Sequence, residues 1–135
     1  MFQYNVMDNK WETLHPFMSE ARNGHSCIVI DKVVLVTGGY GKKSSEIFSL
    51  SEQRWRTGPD LPTTNGYAKM VQAQPGSKYS AYLIGGLVSS YNPTSAIYGL
   101  TKDMTKFVKL GDLKIARSGH VALSLPENVI GQCPD

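Results

Sequence analysis

Apolar residues in this chain fall in short runs rather than along helical faces. Val33-Val34-Leu35-Val36-Thr37 is nearly all apolar and runs straight into Gly38-Gly39, and Ala81-Tyr82-Leu83-Ile84 does the same into Gly85-Gly86. A strand of this kind carries apolar side chains on both faces, so both faces must be covered. Paired glycines permit positive φ and let a neighbouring backbone come closer than a Cβ would allow. The pattern predicts stacked sheets. No window of about 11 or more residues carries a 3.6-residue apolar period, so helix should be nearly absent.

The polar positions punctuate this pattern at regular intervals. Asp31-Lys32 separates Ser26–Ile30 from Val33–Thr37 as a two-residue hairpin turn. A polar loop from Tyr40 to Ser45 follows, and Glu46 to Leu50 and Arg54 to Thr57 complete four strands. The next unit opens at Gly58-Pro59-Asp60-Leu61-Pro62, with a strand around Ala68 to Ala73 and Pro75-Gly76 as the breaker. After Gly85-Gly86, a loop from Leu87 to Thr94 precedes strands at Ser95 to Leu100 and Thr105 to Leu110. A last strand is expected at Val121 to Leu125.

Different markers agree on one period. Trp11 and Trp55 lie 44 positions apart, the glycine pairs 47, and Gly24, Gly66 and Gly119 are separated by 42 and 53. Phe2 to Trp11 aligns with Ile47 to Trp55, with Asp8-Asn9-Lys10 and Ser51-Glu52-Gln53-Arg54 as the matching turns. The first segment therefore reads as the second half of a unit, and Ala116 onward as the first half of another. Periods of this length mark repeat architectures.

These residues resemble the kelch repeat: a glycine pair closing the second strand, Phe48 or Tyr98 in the third, Trp55 in the fourth, and Arg22-Asn23-Gly24-His25 or Arg117-Ser118-Gly119-His120 opening the next. The resemblance implies an all-β, kelch-type β-propeller fragment with two complete four-stranded blades and two half-blades. Its divisions are residues 1–17 (half-blade), 18–62 (blade), 63–113 (blade) and 114–135 (half-blade). The chain departs from the pattern at Thr64 for Arg, Tyr67 for His, Phe107 for Trp, Ala96 where the first unit has Glu46, and Gly131-Gln132 for a glycine pair. Three blades are fewer than the roughly four to eight of a closed ring. The expectation is a piece of a larger propeller, or one completed by assembly. Phe2 to Trp11 would then pair with Arg117 to Ile130 of the same chain or of a second copy, making a homodimer of about six blades.

Composition narrows the function. At 135 residues, 41% hydrophobic and 19% charged, the chain is an ordinary globular domain. Its net charge of +3 is scattered rather than gathered into a stripe, which argues against nucleic acid or membrane partners. Cys27 reads as a small buried hydrophobe, while Cys133 near the end could pair outside the chain. Two cysteines are too few for a disulfide scaffold. Without a signal-peptide pattern the sequence reads as cytoplasmic as written, and as secreted if it belongs to a longer precursor.

Chemistry is sparse. His25 and His120 share one repeat position and are expected to share a structural role; with His15 they lack the close spacing of a zinc site. Gly38 to Ser44 fails the phosphate-loop pattern, with Val36 in place of the first Gly and Lys43 in place of Ser/Thr. Glu46, Glu52, Asp60 and Asp103 read as solvated, so neither catalytic residues nor cofactors are assigned.

In kelch propellers the loops joining the fourth strand to the next first strand, and the second to the third, grip partner peptides. That resemblance assigns partner binding to Arg22, Asn23, Thr64, Asn65, Arg117 and Ser118, with Ser44 and Thr94, and beside them Tyr40, Lys42 and Tyr91. The expected partner is a protein or peptide, an acidic one being suited to these arginines, since an arginine fork can hold a carboxylate through two hydrogen bonds. Arg22 and Arg117 are equally open to a role tying blades together. The expected function is a non-catalytic protein-interaction module, with a ubiquitin-ligase substrate adaptor as one version within a longer chain. The alternative is a fragment of a kelch-type enzyme acting on carbohydrate, a copper oxidase or a sugar isomerase.

Overall fold

The computed structural model describes residues 2–13 and 15–125, and among them there is no helix. Strands β1 (Phe2–Asn5) and β2 (Lys10–Thr13) form a hairpin on their own. Strands β3 (Ser26–Ile30), β4 (Val33–Thr37), β5 (Ser45–Ser49) and β6 (Arg54–Thr57) form an antiparallel sheet in chain order. A second sheet contains β7 (Lys69–Gln72) and β8 (Tyr79–Ile84), then a small ribbon intervenes, β9 (Leu87–Ser89) with β10 (Asn92–Pro93). The second sheet is completed by β11 (Ala96–Thr101) and β12 (Phe107–Asp112), in the order β7-β8-β11-β12.

Local chemistry accounts for these turns. Asp31 takes a φ of 51°, the left-handed conformation a two-residue hairpin needs and one that Asp tolerates better than most residues. Asn9 and Gln53, at matching turn positions, also have φ of 51°. The hairpins of Asn9 and Gln53 each carry an aromatic pair across their strands. Tyr4 faces Trp11 with ring centroids 5.2 Å apart at 49°, and Phe48 faces Trp55 at 5.1 Å and 49°. The alignment of the first hairpin with β5–β6 is thus a geometric one.

The two four-stranded sheets pack face to face through their first strands, with Ser26 Oγ donating to the Ala68 carbonyl at 2.7 Å. Leu35 and Ile47 from one side meet Ala81, Leu83, Tyr98 and Leu100 from the other in one buried cluster. Period-2 alternation sorts each strand: Leu35 enters this cluster, and its neighbour Val36 is buried on the opposite side with Phe48.

Four expectations differ from the structure. The Leu87 to Thr94 loop contains the β9–β10 ribbon, because Gly66 bridges Leu87 and holds it extended. Phe107, which stands in the Trp place, pairs with Leu100 rather than with Tyr98: Leu100 and Phe107 lie seven positions apart, as do Tyr4 and Trp11 and Phe48 and Trp55, whereas Tyr98 sits two residues further from the turn. Val121 to Leu125 forms no ladder; Gln74 Nε2 holds it by donating to Ser124 Oγ (2.7 Å) and the Leu125 carbonyl (3.0 Å). Among the described residues, β1 and β2 pair only with each other, so the expected pairing of Phe2 to Trp11 is not made with residues 117–125 of this chain. The rest of that partner segment, and Cys133 and Gly131-Gln132, lie outside the described residues.

The face assignment predicts unequal costs for two valine- and leucine-sized truncations. Leu35→Ala should lower unfolding free energy by about 3 kcal/mol through lost transfer and a cavity, whereas Val29→Ala, 55% exposed on the same sheet, should stay within about 0.5 kcal/mol. Urea unfolding of both variants checks this; equal losses would contradict the sorting of faces.

Candidate interaction rim

The connections at one end of the two sheets are stitched together by their own backbones. Tyr40 N–H donates to the Asn23 carbonyl (2.9 Å), Gly39 N–H to the Asn65 carbonyl (2.9 Å), and Asn65 N–H to the Lys42 carbonyl (3.0 Å). Tyr67 N–H donates to the Gly24 carbonyl (2.6 Å), and Gly119 N–H in turn to the Tyr67 carbonyl (2.9 Å), so three successive repeat openings are linked in a row. Gly86 N–H donates to the Arg117 carbonyl (2.8 Å) and Arg117 N–H to the Thr94 carbonyl (3.3 Å). The predicted loops therefore form one continuous rim.

Glycine is required at two of these crossings. Gly38 has a φ of +66° and its missing Cβ leaves room for the Asn65 carbonyl; Gly86, at +111°, leaves room for the Asn65 side-chain amide. The Asn65 amide nitrogen donates to the Gly85 carbonyl at 2.9 Å, and the residue is only 3% exposed. Asn65 is a structural tie. Thr64 is turned inward as well, its hydroxyl donating to the Val88 carbonyl at 2.7 Å.

Arg22 is the most heavily engaged residue of the rim. Its side chain is 1% exposed. Nη1 donates to the carbonyls of Gly38 (2.9 Å) and Ser44 (2.8 Å), while Nη2 reaches Ser44 Oγ (3.0 Å) and the carboxylates of Glu46 (3.2 Å) and Glu20 (3.1 Å). Nη1 and Nη2 are occupied and Nε, without a partner, is enclosed, so the fork is closed to a partner's carboxylate. Of the two roles the sequence leaves open for Arg22, partner binding and a structural tie, its contacts are those of a tie, an internal clamp on the β4–β5 connection.

Glu46 was expected to be solvated and is instead 5% exposed. Burial opposes its ionisation, but Ser19 N–H (2.8 Å) and hydroxyl (3.0 Å), Arg22 and the Glu20 N–H outweigh it and hold the carboxyl below its usual range. Sequence reasoning missed this pair, although a signal was present: the second repeat has neither charge, with Ala96 at the Glu46 position; the expected Thr64-for-Arg match shifts by one, since Asn65 donates to the Gly85 carbonyl as Arg22 does to that of Gly38. Losing one partner of a buried pair strands the other charge, whereas losing both does not.

Other predicted residues do reach solvent. Asn23, Tyr91 and Arg117 are exposed, and Ser44, Thr94 and Ser118 are half-buried. Tyr40, 48% exposed, donates its hydroxyl to Ser90 Oγ at 2.6 Å and so joins the two strand-connecting loops. Asn23, Tyr40 and Lys42 line a cleft of about 350 Å³ with Ala21 and Arg22. The two matched histidines do not share an environment. His25 is exposed; the His120 ring packs over Gly85 with both nitrogens enclosed and without a partner, and burial, then the charges of Arg117 and Lys69, push its pKa down. Cys27 is likewise exposed rather than buried.

Among the described residues, no three His, Cys, Asp or Glu side chains are grouped so as to hold a metal ion. No protein-family model and no curated protein matches this chain.

The clamp predicts contrasting arginine variants and an acid limb. Arg22→Ala should cost about 3 kcal/mol by stranding Glu46, and Arg117→Ala no more than about 0.5 kcal/mol, both by urea unfolding. Because the folded Glu46 pKa lies below its ordinary value of 4.5, its contribution is complete above that value and is lost as pH falls through the lower, folded one. Glu46→Gln should therefore flatten the dependence of stability on pH below about 4.5; an unchanged acid limb would mean the pair does not carry it.

Proposed function

We propose that this chain is a segment of a kelch-type propeller and acts as a non-catalytic protein-interaction module, gripping an extended acidic peptide on its loop rim. The observation that carries this reading is the rim itself. Loops separated by as much as a repeat are bonded into one edge, and that edge presents Asn23, Tyr40, Lys42, Tyr91 and Arg117 outward. Rigid scaffolds that place polar and aromatic loop residues together are where binding residues concentrate.

The acidic partner follows from the charges that remain available. With Arg22 neutralised internally, Lys42, Lys43 and Arg117 are the rim cations facing solvent, Lys43 lying 3.3 Å from the exposed Asp60 carboxylate. Lys42 makes one outer contact, 3.5 Å to Glu20, on a side chain 34% exposed. Such contacts are weak and exchange readily for a partner's carboxylate. Tyr40 and Tyr91 add flat amphipathic surface, which suits a peptide backbone. The packing of two four-stranded sheets and the repeated aromatic hairpin pair support the propeller reading. A substrate-adaptor role would place the docking domains elsewhere in a longer chain.

Selection from a random peptide display library tests this. Recovered peptides should be enriched in Asp and Glu, and should bind Lys42→Glu/Arg117→Glu at least about tenfold more weakly, with the far-ultraviolet spectrum unchanged. Binding should also weaken with salt. Recovery of peptides without acidic enrichment, or equal binding to the charge-reversed protein, would overturn the reading.

A further inference from the structure

The chain contains two Asn-Gly steps, Asn23-Gly24 and Asn65-Gly66, and both lie on the rim. An asparagine before glycine can react with its own backbone. The following amide nitrogen attacks the side-chain carbonyl carbon, and a glycine, having no Cβ, leaves that approach unhindered. Whether the reaction proceeds depends on how the side-chain amide and the nitrogen are held, and the two steps are held in opposite ways.

Asn65 is locked. It is buried, its side-chain nitrogen donates to the Gly85 carbonyl at 2.9 Å, and its side-chain oxygen lies against Gly86. Gly66 is buried as well, and its N–H, which would have to give up its proton, donates to the Leu87 carbonyl at 2.9 Å. Asn23 is open to solvent. Among the described residues its side-chain amide makes no hydrogen bond, and the Gly24 N–H meets no acceptor. The fold nevertheless demands this glycine, because its φ is +59° and a Cβ there would stand 2.9 Å from the Tyr67 ring. Packing that requires Gly24 thus leaves the reactive step exposed.

We propose that Asn23 is a site of spontaneous covalent modification, converting to isoaspartate and aspartate in the folded protein while Asn65 is spared. The Gly24 nitrogen loses its proton to a solvent base and forms a bond to Asn23 Cγ; the Cγ–Nδ2 bond breaks, and the nitrogen takes a proton from solvent and leaves as ammonia. Water then opens the cyclic imide. Addition at Cγ breaks the new Cγ–N bond and leaves aspartate, whereas addition at the main-chain carbonyl carbon breaks the original peptide bond and leaves isoaspartate, with the chain routed through Cβ and Cγ.

Either product adds a carboxylate to the cleft that Asn23 shares with Lys42. Isoaspartate does more. The Asn23 carbonyl accepts from Tyr40 N–H and the Gly24 carbonyl from Tyr67 N–H. Isoaspartate turns the first carbonyl into a free carboxylate and adds a methylene to the chain before the second, so the two bonds cannot both keep their present geometry. The inference does not rest on the peptide-binding reading.

Incubating the full chain in neutral buffer at physiological temperature, then mapping its peptides by fragmentation that separates aspartate from isoaspartate, tests this. In the folded protein Asn23 should convert at least about tenfold faster than Asn65, and faster still as pH rises, because the attacking nitrogen must lose its proton. In urea the two sites should convert at similar rates, which assigns the protection of Asn65 to the fold. Asn23→Gln, at an exposed position, should keep the wild-type melting curve and stay unconverted at residue 23. The isoaspartyl form, separated by ion exchange, should exchange its Tyr40 and Tyr67 amide protons faster than the parent protein. An Asn23 that stays intact while the urea-unfolded chain converts would overturn the proposal, as would equal conversion of Asn23 and Asn65 in the folded protein.

Discussion

Everything in this structure follows from the need to cover a strand on both faces. In β4, Leu35 and Val36 point in opposite directions and both are buried, so one four-stranded sheet cannot satisfy its own central strand. A second sheet supplies the cover on the Leu35 side. Burying a side chain of this size contributes about 1.5–3 kcal/mol, and the cluster that results is continuous through both sheets. On the Phe48 side the cover is made by the loop before β3, where Trp55 Nε1 donates to the Pro16 carbonyl at 3.0 Å.

Close stacking of the sheets in turn decides what happens at their ends. The loops leaving β4 and β8 must pass the openings of the following units, and the glycine pairs let the backbones bond directly where side chains would collide. Bonded in this way, the rim loops are tied to one another and to the strand ends. Loops so tied would lower the ordering cost of the peptide binding proposed for them.

Within that rim the two repeats solve the same problem in different ways. The first uses a buried ion pair, with Arg22 gathering two carbonyls and two carboxylates around the β4–β5 connection. The second has neither charge, and neutral hydrogen bonds from Thr64 and Asn65 take over. Arg117 opens a third unit with the same residue type, yet it is exposed and, among the described residues, its guanidinium reaches only the Ile115 carbonyl, at 3.4 Å. One sequence marker thus has three environments, set by what stands across from it.

The sequence by itself determined the all-β class, the four-strand units, the positions of β3, β4, β5 and β6, and the glycine-dependent crossings, because each is set by near neighbours in the chain. Alternation, turn chemistry and freedom of φ are local properties. Tertiary structure alone decided that Glu46 is buried and that Arg22 is consumed inside the protein. It also decided that Val121 to Leu125 runs without a ladder. Each of those outcomes depends on a partner many residues away, and no local pattern of hydrophobic and polar positions records the distance to it.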